Sequence, residues 1–425
     1  MSSFADRIRS IVAPRGGPEA AHPAPPGLPD ASGHPALEVL GGEWRDHVFV
    51  VERRVNPAAR HGREAVGTYG ECLDEASSAA RLYGGDEARA PFAFFDLETT
   101  GLSGGAGTQA FLVGCGWFDA DRGFVSRQFL LTRPTDERPM LDAVADELAR
   151  AGALVTFNGK SFDAPLLETR YLFHRVAWSG REMPHVDVLH PARRFWKPRT
   201  ESADSTCSLV ALEKQILGVR RSGDVPSFEI PRRYFHFVRS GDARPLAGIL
   251  EHNRLDLLSL AALSARLLHV TRHGPEAVRD AREALALGHV YLRAGRDEQA
   301  CRAYQRAVEM TERGIVSQPI RIESLRALAI SLRRARQHED AAACWRRLMS
   351  APGCPARVAR EATEALAVHH EHRDRDLEAA KAFALKGLEL DTQPAWTSAV
   401  AHRLARIERK MSGANAQLRL SSLPS

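Results

Sequence analysis

Residues 92–102 read Phe92-Ala93-Phe94-Phe95-Asp96-Leu97-Glu98-Thr99-Thr100-Gly101-Leu102. A phenylalanine-rich run of this length reads as a buried strand. Buried strands rarely end in carboxylates without a use for them. Side chains alternate along a strand, so Asp96 and Glu98 point to the same side. Two carboxylates within reach of each other repel unless a cation or a proton lies between them. Hard oxygen ligands on rigid backbone suit Mg²⁺ or Mn²⁺. The plainer alternative is a strand end carrying two solvated acids.

Two alternating apolar segments follow, Phe111 to Phe118 and Phe124 to Leu131, and with the first run they predict a three-stranded meander. The glycine-rich turn after the first run, Gly101 to Gly107, has no lysine where a phosphate-cradling loop needs one, so it reads as a tight connection that leaves room for substrate. Helical spacing over Pro139–Ala151, a short strand at Ala153–Phe157 and a helix over Asp163–Phe173 complete an α/β domain, a mixed sheet covered by helices.

A second acid lies in Phe157-Asn158-Gly159-Lys160-Ser161-Phe162-Asp163. Asp163 opens a helix, where an N-cap is the ordinary use of Asp. Phe162 is expected to anchor the turn in the core and so aim Asp163. Asn158 and Lys160 then stand where they can hold a phosphate. Further on, Val186–Leu189 reads as a strand holding Asp187, with His185 and His190 at its ends read as structural. Arg193, Arg194 and Lys197 interleave with Phe195 and Trp196. Cations among aromatics suit a single strand of nucleic acid, and they suit a snorkelled surface helix equally. Ser208–Leu217 carries a helical apolar face ending at Gly218.

The third acid is in the leucine-rich helix Leu250–Leu263, where His252 and Asp256 share a face one turn apart. Such a pair is costly to bury unless it is paired or metal-bound. An imidazole there suits proton removal from water. A simple helix-surface pair is the alternative.

The chain has 425 residues, 44% hydrophobic and 26% charged, which predicts two or three globular domains. Its net charge is +5 and its pI about 9.0, a mild excess that fits a phosphate-bearing partner. Six cysteines are scattered with no C-x-x-C pair, so neither a zinc site nor a disulfide framework is expected, and a reducing cytoplasm is the simplest location. No apolar run has signal-peptide or membrane-spanning length. Residues 1–36 read as disordered, apart from an amphipathic pattern over Ser2–Val12, and 37–90 as a lead-in whose strand-like patches are Leu37–Leu40 and His47–Glu52. From about Ala281 the chain is rich in Ala and Arg, and Leu287-Gly288, Tyr291, Ala300, Tyr304 and Ala307 recur about forty residues later around Leu328-Ala329, Leu332, Ala341, Trp345 and Leu348. Residues 411–425 read as a disordered tail.

The stretches DLETTGL at Asp96, FNGKSFDAPLL at Asp163 and HNRLD at His252 resemble, in order and spacing, the DEDD exonucleases of the ribonuclease H-like superfamily, and most of all its YprB-like branch. The likeness takes in HVDVLHPARRFW, CSLVALEKQILG and DVPSFEIPRRYF and spans about Pro91–His269, within a domain set at 91–272. The tail over 276–410 resembles tetratricopeptide repeats, which offer a surface to a protein partner or brace a neighbouring domain. The resemblance implies that Asp96, Glu98, Asp163 and Asp256 hold two Mg²⁺ or Mn²⁺ ions, with His252 as general base, in a 3′–5′ exonuclease acting on single-stranded DNA or RNA. One departure is that His252 stands four residues before the last Asp, where the family has tyrosine at four or histidine at five. A nucleic-acid-binding scaffold and a structure-specific endonuclease are the competing functions.

Overall fold

The protein is described from a computed structural model over residues 35–101, 107–197, 207–314, 317–390 and 394–421. Of the expected disorder over 1–36, residues 1–34 lie outside these residues, as do the Ser2–Val12 pattern and most of the glycine-rich turn, while Pro35 and Ala36 belong to a 3₁₀ turn.

Seven strands form the main sheet: β1 (Glu43–Arg45), β2 (Val48–Val55), β5 (Phe92–Thr99), β6 (Ala110–Phe118), β7 (Phe124–Leu130), β8 (Ala153–Thr156) and β9 (His185–Asp187). The short pieces β3 (Arg60–His61) and β4 (Glu64–Ala65) make a separate ribbon. The order is β1-β2-β7-β6-β5-β8-β9, antiparallel up to β5 and parallel beyond it. The meander is present, and the mixed sheet is covered by helices as expected.

Both faces of β5 are buried, which is why its sequence is nearly continuous in apolar residues. Phe92 and Phe94 enter one core, with helix α1 (Val66–Ala76). Ala93, Phe95 and Leu97 enter the other, with α2 (Glu137–Leu148) and α3 (Asp163–Phe173). Asp96 and Glu98 continue the row of Phe92 and Phe94. After β9 come α4 (Leu189–Phe195), α5 (Ile230–Ser240) and the long α6 (Leu246–His273), which packs against β5, β6 and β7.

Three sequence expectations are corrected here. Leu37–Leu40 is not a strand but part of a 3₁₀ turn, Pro35–Leu40, in which Leu37 and Leu40 are both buried. Residues three apart eclipse in that helix, so the pair makes one apolar edge. The 37–90 lead-in, set apart from 91–272, is built into the main domain, because Phe49–Val55 of β2 pairs with β7 and α1 packs on α6. The Ser208–Leu217 helix is one α turn, Leu209–Leu212, and then a wide π turn, Glu213–Leu217, that carries Glu213 inward.

Packed helix pairs follow: α7 (Ala281–Arg293) with α8 (Asp297–Arg313), α9 (Gln318–Arg334) with α10 (His338–Met349), and α11 (Ala356–His369) with α12 (Leu377–Leu390). Gly288 is required where it stands, because a Cβ there would lie 2.3 Å from the Tyr304 ring. The last helix, α13 (Pro394–Ser421), takes in residues 411–421 of the 411–425 stretch read as a disordered tail. Ile407 is fully buried and Met411 packs beside it, which extends the helix past the expected boundary. Among the described residues no helix is long and apolar enough to cross a membrane.

Candidate active site

Asp96 and Glu98 lie at the end of β5, where the pairing with β6 is irregular at Glu98 and Thr99. Asp163 lies in the first turn of α3, and His252 and Asp256 lie on α6. Burial, then the charges of Asp256, Glu98 and Asp163, push the Asp96 carboxyl well above its usual range. Burial, with Asp256, Asp163 and Asp224 behind it, pushes Glu98 up to about 8. Burial and Asp187 push Asp163 up to about 7. The charges of Asp256 and Asp163 thus act on both Asp96 and Glu98, which makes the four sequence-predicted carboxylates electrostatic neighbours. Oxygen donors that destabilise one another's charge, on a strand and two helices, fit hard divalent cations. Among the described residues, the trio with ligand atoms all within 4.8 Å of one another lies elsewhere, in the helical repeats, at Glu339, His369 and Asp374.

A hydrogen-bonded row fixes Asp96. Gln128 of β7 donates to the Asn253 side-chain oxygen at 2.8 Å and to the Leu250 carbonyl at 2.8 Å. Asn253 donates to Asp96 Oδ2 at 2.8 Å. The row crosses β6 over Gly114, which pairs in register with Asp96. A Cβ on Gly114 would lie 2.2 Å from Asn253 Oδ1, so only glycine leaves the gap.

His252 is 6% exposed. Its Nδ1 lies 2.7 Å from Asp224 Oδ1, and its Nε2 lies 3.4 Å from Asp256 Oδ2 and 4.0 Å from Glu98 Oε1. Spacing of four residues thus still turns the ring to the carboxylates. Burial acts to raise the Asp224 carboxyl, but the His252 bond and the Arg221 charge outweigh it and hold it below its ordinary value. Arg221 bonds Asp224 at 3.1 Å, and also Glu213 and Asp256. Asp224, Arg221, Glu213, Asn253 and Gln128 were missed by sequence reading. Arg221-x-x-Asp224, whose Asp lies 28 residues before His252, and a glutamine in the apolar β7, were the available signals.

The Asp163 turn is held differently from expectation. Phe162 is 61% exposed and anchors nothing. Asp163 is not the N-cap, which is Phe162 with no side-chain bond. Instead the Asp187 carboxylate accepts from the backbone N–H of Asn158 at 2.8 Å, of Lys160 at 3.1 Å and of Leu189 at 3.1 Å. Asn158 takes a left-handed φ of 71° there. His185 bonds Thr156 Oγ1 at 2.7 Å, and burial lowers its pKa to about 4.

The nucleic-acid residues divide. Lys160, Arg193, Arg194 and Lys197 are exposed, and Asn158 is half-buried. Phe195 and Trp196, at 1% and 3% exposure, are core residues, a correction to the base-stacking expectation. Trp196 Nε1 donates to Glu283 of α7 at 3.0 Å, so the helical repeats cover the ring that was read as open.

The family model described as the RNase_H superfamily matches residues 93–268. The chain is 32% identical over 322 residues to the uncharacterized protein YprB of Bacillus subtilis (strain 168), covering 75% of this chain and 75% of that protein.

Proposed function

The chain belongs to the RNase_H superfamily, and from that premise we propose that it is a metal-dependent nuclease, a 3′–5′ exonuclease acting on single-stranded DNA or RNA. The observation that carries this reading is the meeting of Asp96, Glu98, Asp163 and Asp256, in which the charges of Asp256 and Asp163 raise the proton affinity of both Asp96 and Glu98. These four would hold two Mg²⁺ or Mn²⁺ ions. When bound, such a pair supplies Lewis acidity at a phosphodiester and makes water acidic enough to attack near neutral pH.

The chain's own residues supply positioning and proton transfer. Gln128 and Asn253 hold Asp96 in one rotamer, with one oxygen free. Asp224 receives the Nδ1 proton of His252, which leaves Nε2 unprotonated toward Asp256 and Glu98. Nε2 is then the base that takes the proton from the attacking water. Arg221 neutralises part of the acidic charge and keeps Asp256 and Asp224 at fixed separation. Lys160 and the exposed row of Arg193, Arg194 and Lys197 are the groups to meet substrate phosphates, in a salt-dependent way. The helical repeats are the surface for a protein partner.

The test uses full-length protein with Mn²⁺ or Mg²⁺ and labelled DNA and RNA, with free, blocked or joined ends. Shortening from a free 3′ end is expected, and Asp96→Ala should abolish it. Unchanged cleavage by Asp96→Ala would refute the site. Cutting of circular substrates would replace exonuclease with endonuclease. Binding of strands without cleavage under every metal condition would favour the scaffold.

A further inference from the structure

A second group with metal-binding chemistry lies in the helical repeats. Helix α11 ends at His369, the chain makes a π turn over His370–Asp374, and Arg375 reverses it with a φ of 56°. Wide turns of this kind occur often at functional positions. This one brings Asp374 Oδ1 to 3.2 Å from His369 Nε2. Glu339, in the first turn of α10 in the preceding helix pair, brings Oε1 to 3.6 Å from the same nitrogen.

His369 is 7% exposed, and its Nε2 is out of reach of solvent with no hydrogen-bond partner. The 3.2 Å approach to Asp374 therefore lacks hydrogen-bond direction. Fully buried nitrogen without a partner is disfavoured, so the geometry calls for another electrophile between the three groups. Among the described residues Glu339 and Asp374 pair with histidines and with no lysine or arginine. The other Asp374 oxygen lies 2.8 Å from His370 Nδ1, and the His370 ring stacks on Phe383 of α12, 5.4 Å between centroids and 3° from parallel. Like His369 Nε2, His370 Nδ1 is buried and makes no directed hydrogen bond, so this approach does not satisfy the carboxylate.

We propose that Glu339 Oε1, His369 Nε2 and Asp374 Oδ1 bind a divalent ion of the zinc class. Four ligands at zinc's usual bond lengths stand about 3.4 Å apart on a tetrahedron's edges, close to both separations measured from His369 Nε2. One imidazole among carboxylates favours Zn²⁺ over Mg²⁺. Water fills the fourth position. The ion joins α10 of one helix pair to the turn between α11 and α12 of the next, so its role is to clip adjacent repeats together. It is separate from the carboxylate pocket of the sheet and does not depend on nuclease activity.

The experiment titrates Zn²⁺ into metal-free, full-length protein carrying Asp96→Asn and Glu98→Gln, which quiet the acidic pocket. Calorimetry and the thermal midpoint are read. One Zn²⁺ per chain and a raised midpoint are expected. Glu339→Gln, at an exposed position, should weaken binding by about tenfold or more and remove the rise in midpoint. Asp374→Asn and His369→Gln should do the same. Equal affinity and equal midpoint shifts in the parent and in Glu339→Gln would overturn the proposal, as would no Zn²⁺ binding by the parent.

Discussion

Replacing Gly114 with alanine adds a single methyl group, yet the row behind Asp96 makes it a severe change. The new Cβ would stand 2.2 Å from Asn253 Oδ1 and 2.9 Å from both Asn253 Cγ and Nδ2. Asn253 is fully buried on α6 and cannot swing into solvent. Either the helix lifts from the sheet or the amide leaves Asp96 and Gln128. Overpacking a core costs about 1–3 kcal/mol, and losing a hydrogen bond to a charged group costs about 1.5–3 kcal/mol. Gly114→Ala should therefore destabilise the chain by about 2–5 kcal/mol, read from denaturant unfolding. Nuclease turnover should fall with it, since Asp96 loses its donor. A double-mutant cycle isolates the cause. Asn253→Ala removes the atoms that collide, so Gly114→Ala should cost less than about 1 kcal/mol on that background. Additive costs, or a Gly114→Ala protein as stable as the parent, would refute the reasoning.

Two other perturbations test separate parts of the molecule. Asp224→Asn removes the carboxylate 2.7 Å from His252 Nδ1. It should lower kcat by about tenfold or more with little change in KM, in steady-state assays of the nuclease. Acid should weaken the fold through His61, which is buried against Ser259 at 2.8 Å. Burial first, then the charges of Arg221 and Arg254, hold its imidazole down to about 4. Below the ordinary value of 6.5 the unfolded chain takes a proton that the folded chain refuses, so stability falls as pH drops from 6.5 to about 4. The difference in unfolding free energy between His61→Gln and the parent should vary with pH across that window. A constant difference would show that His61 does not titrate as described.

The parts of the fold that sequence reading reached were those with local period. The apolar run of β5, the alternation of β6 and β7 and the leucine spacing of α6 depend on neighbours a few residues away, and they placed two of the three acid-bearing elements on the right kind of backbone. What it missed depends on partners far along the chain. β2 becomes a strand of the main sheet by pairing with β7, some seventy residues on. Gln128 and Asn253 meet at a separation of 125 residues. Neither relation leaves a spacing to read. Phe195 and Trp196 were misread because interleaved cations and rings look alike on an open surface and at a domain seam. The anchor of the Asp163 turn was assigned to the apolar Phe162, when backbone N–H groups needed an acceptor and Asp187 supplied it. His369 and Asp374 meet across a π turn and face Glu339 from another helix pair, a relation that leaves no ligand spacing in the sequence.

The seam at Trp196 also decides how the two halves of the chain relate. One apolar core runs from Phe94 and Val155 through Leu263 and Leu267 of α6 to Ala284, Leu287 and Tyr291 of α7. Polar bonds tie the same surface. Glu283 accepts from Trp196 Nε1, from Arg266 at 2.5 Å and from the Arg279 N–H at 2.7 Å, and Tyr291 donates to the Thr271 carbonyl at 2.7 Å. A repeat array hung on a flexible tether would leave Trp196 and the far side of α6 facing water. A chain ending at Gly274 should therefore expose a continuous apolar patch and lose the buried acceptor of Trp196. It should aggregate or unfold at a lower midpoint than the full chain, measured by light scattering during heating. A truncated domain that stays monomeric, with an unchanged midpoint, would mean that the helical repeats rest on the sheet domain without supporting it. The opposite result makes the repeats part of the folded state that holds α6, and with it Asp256, His252 and Asn253, against β5.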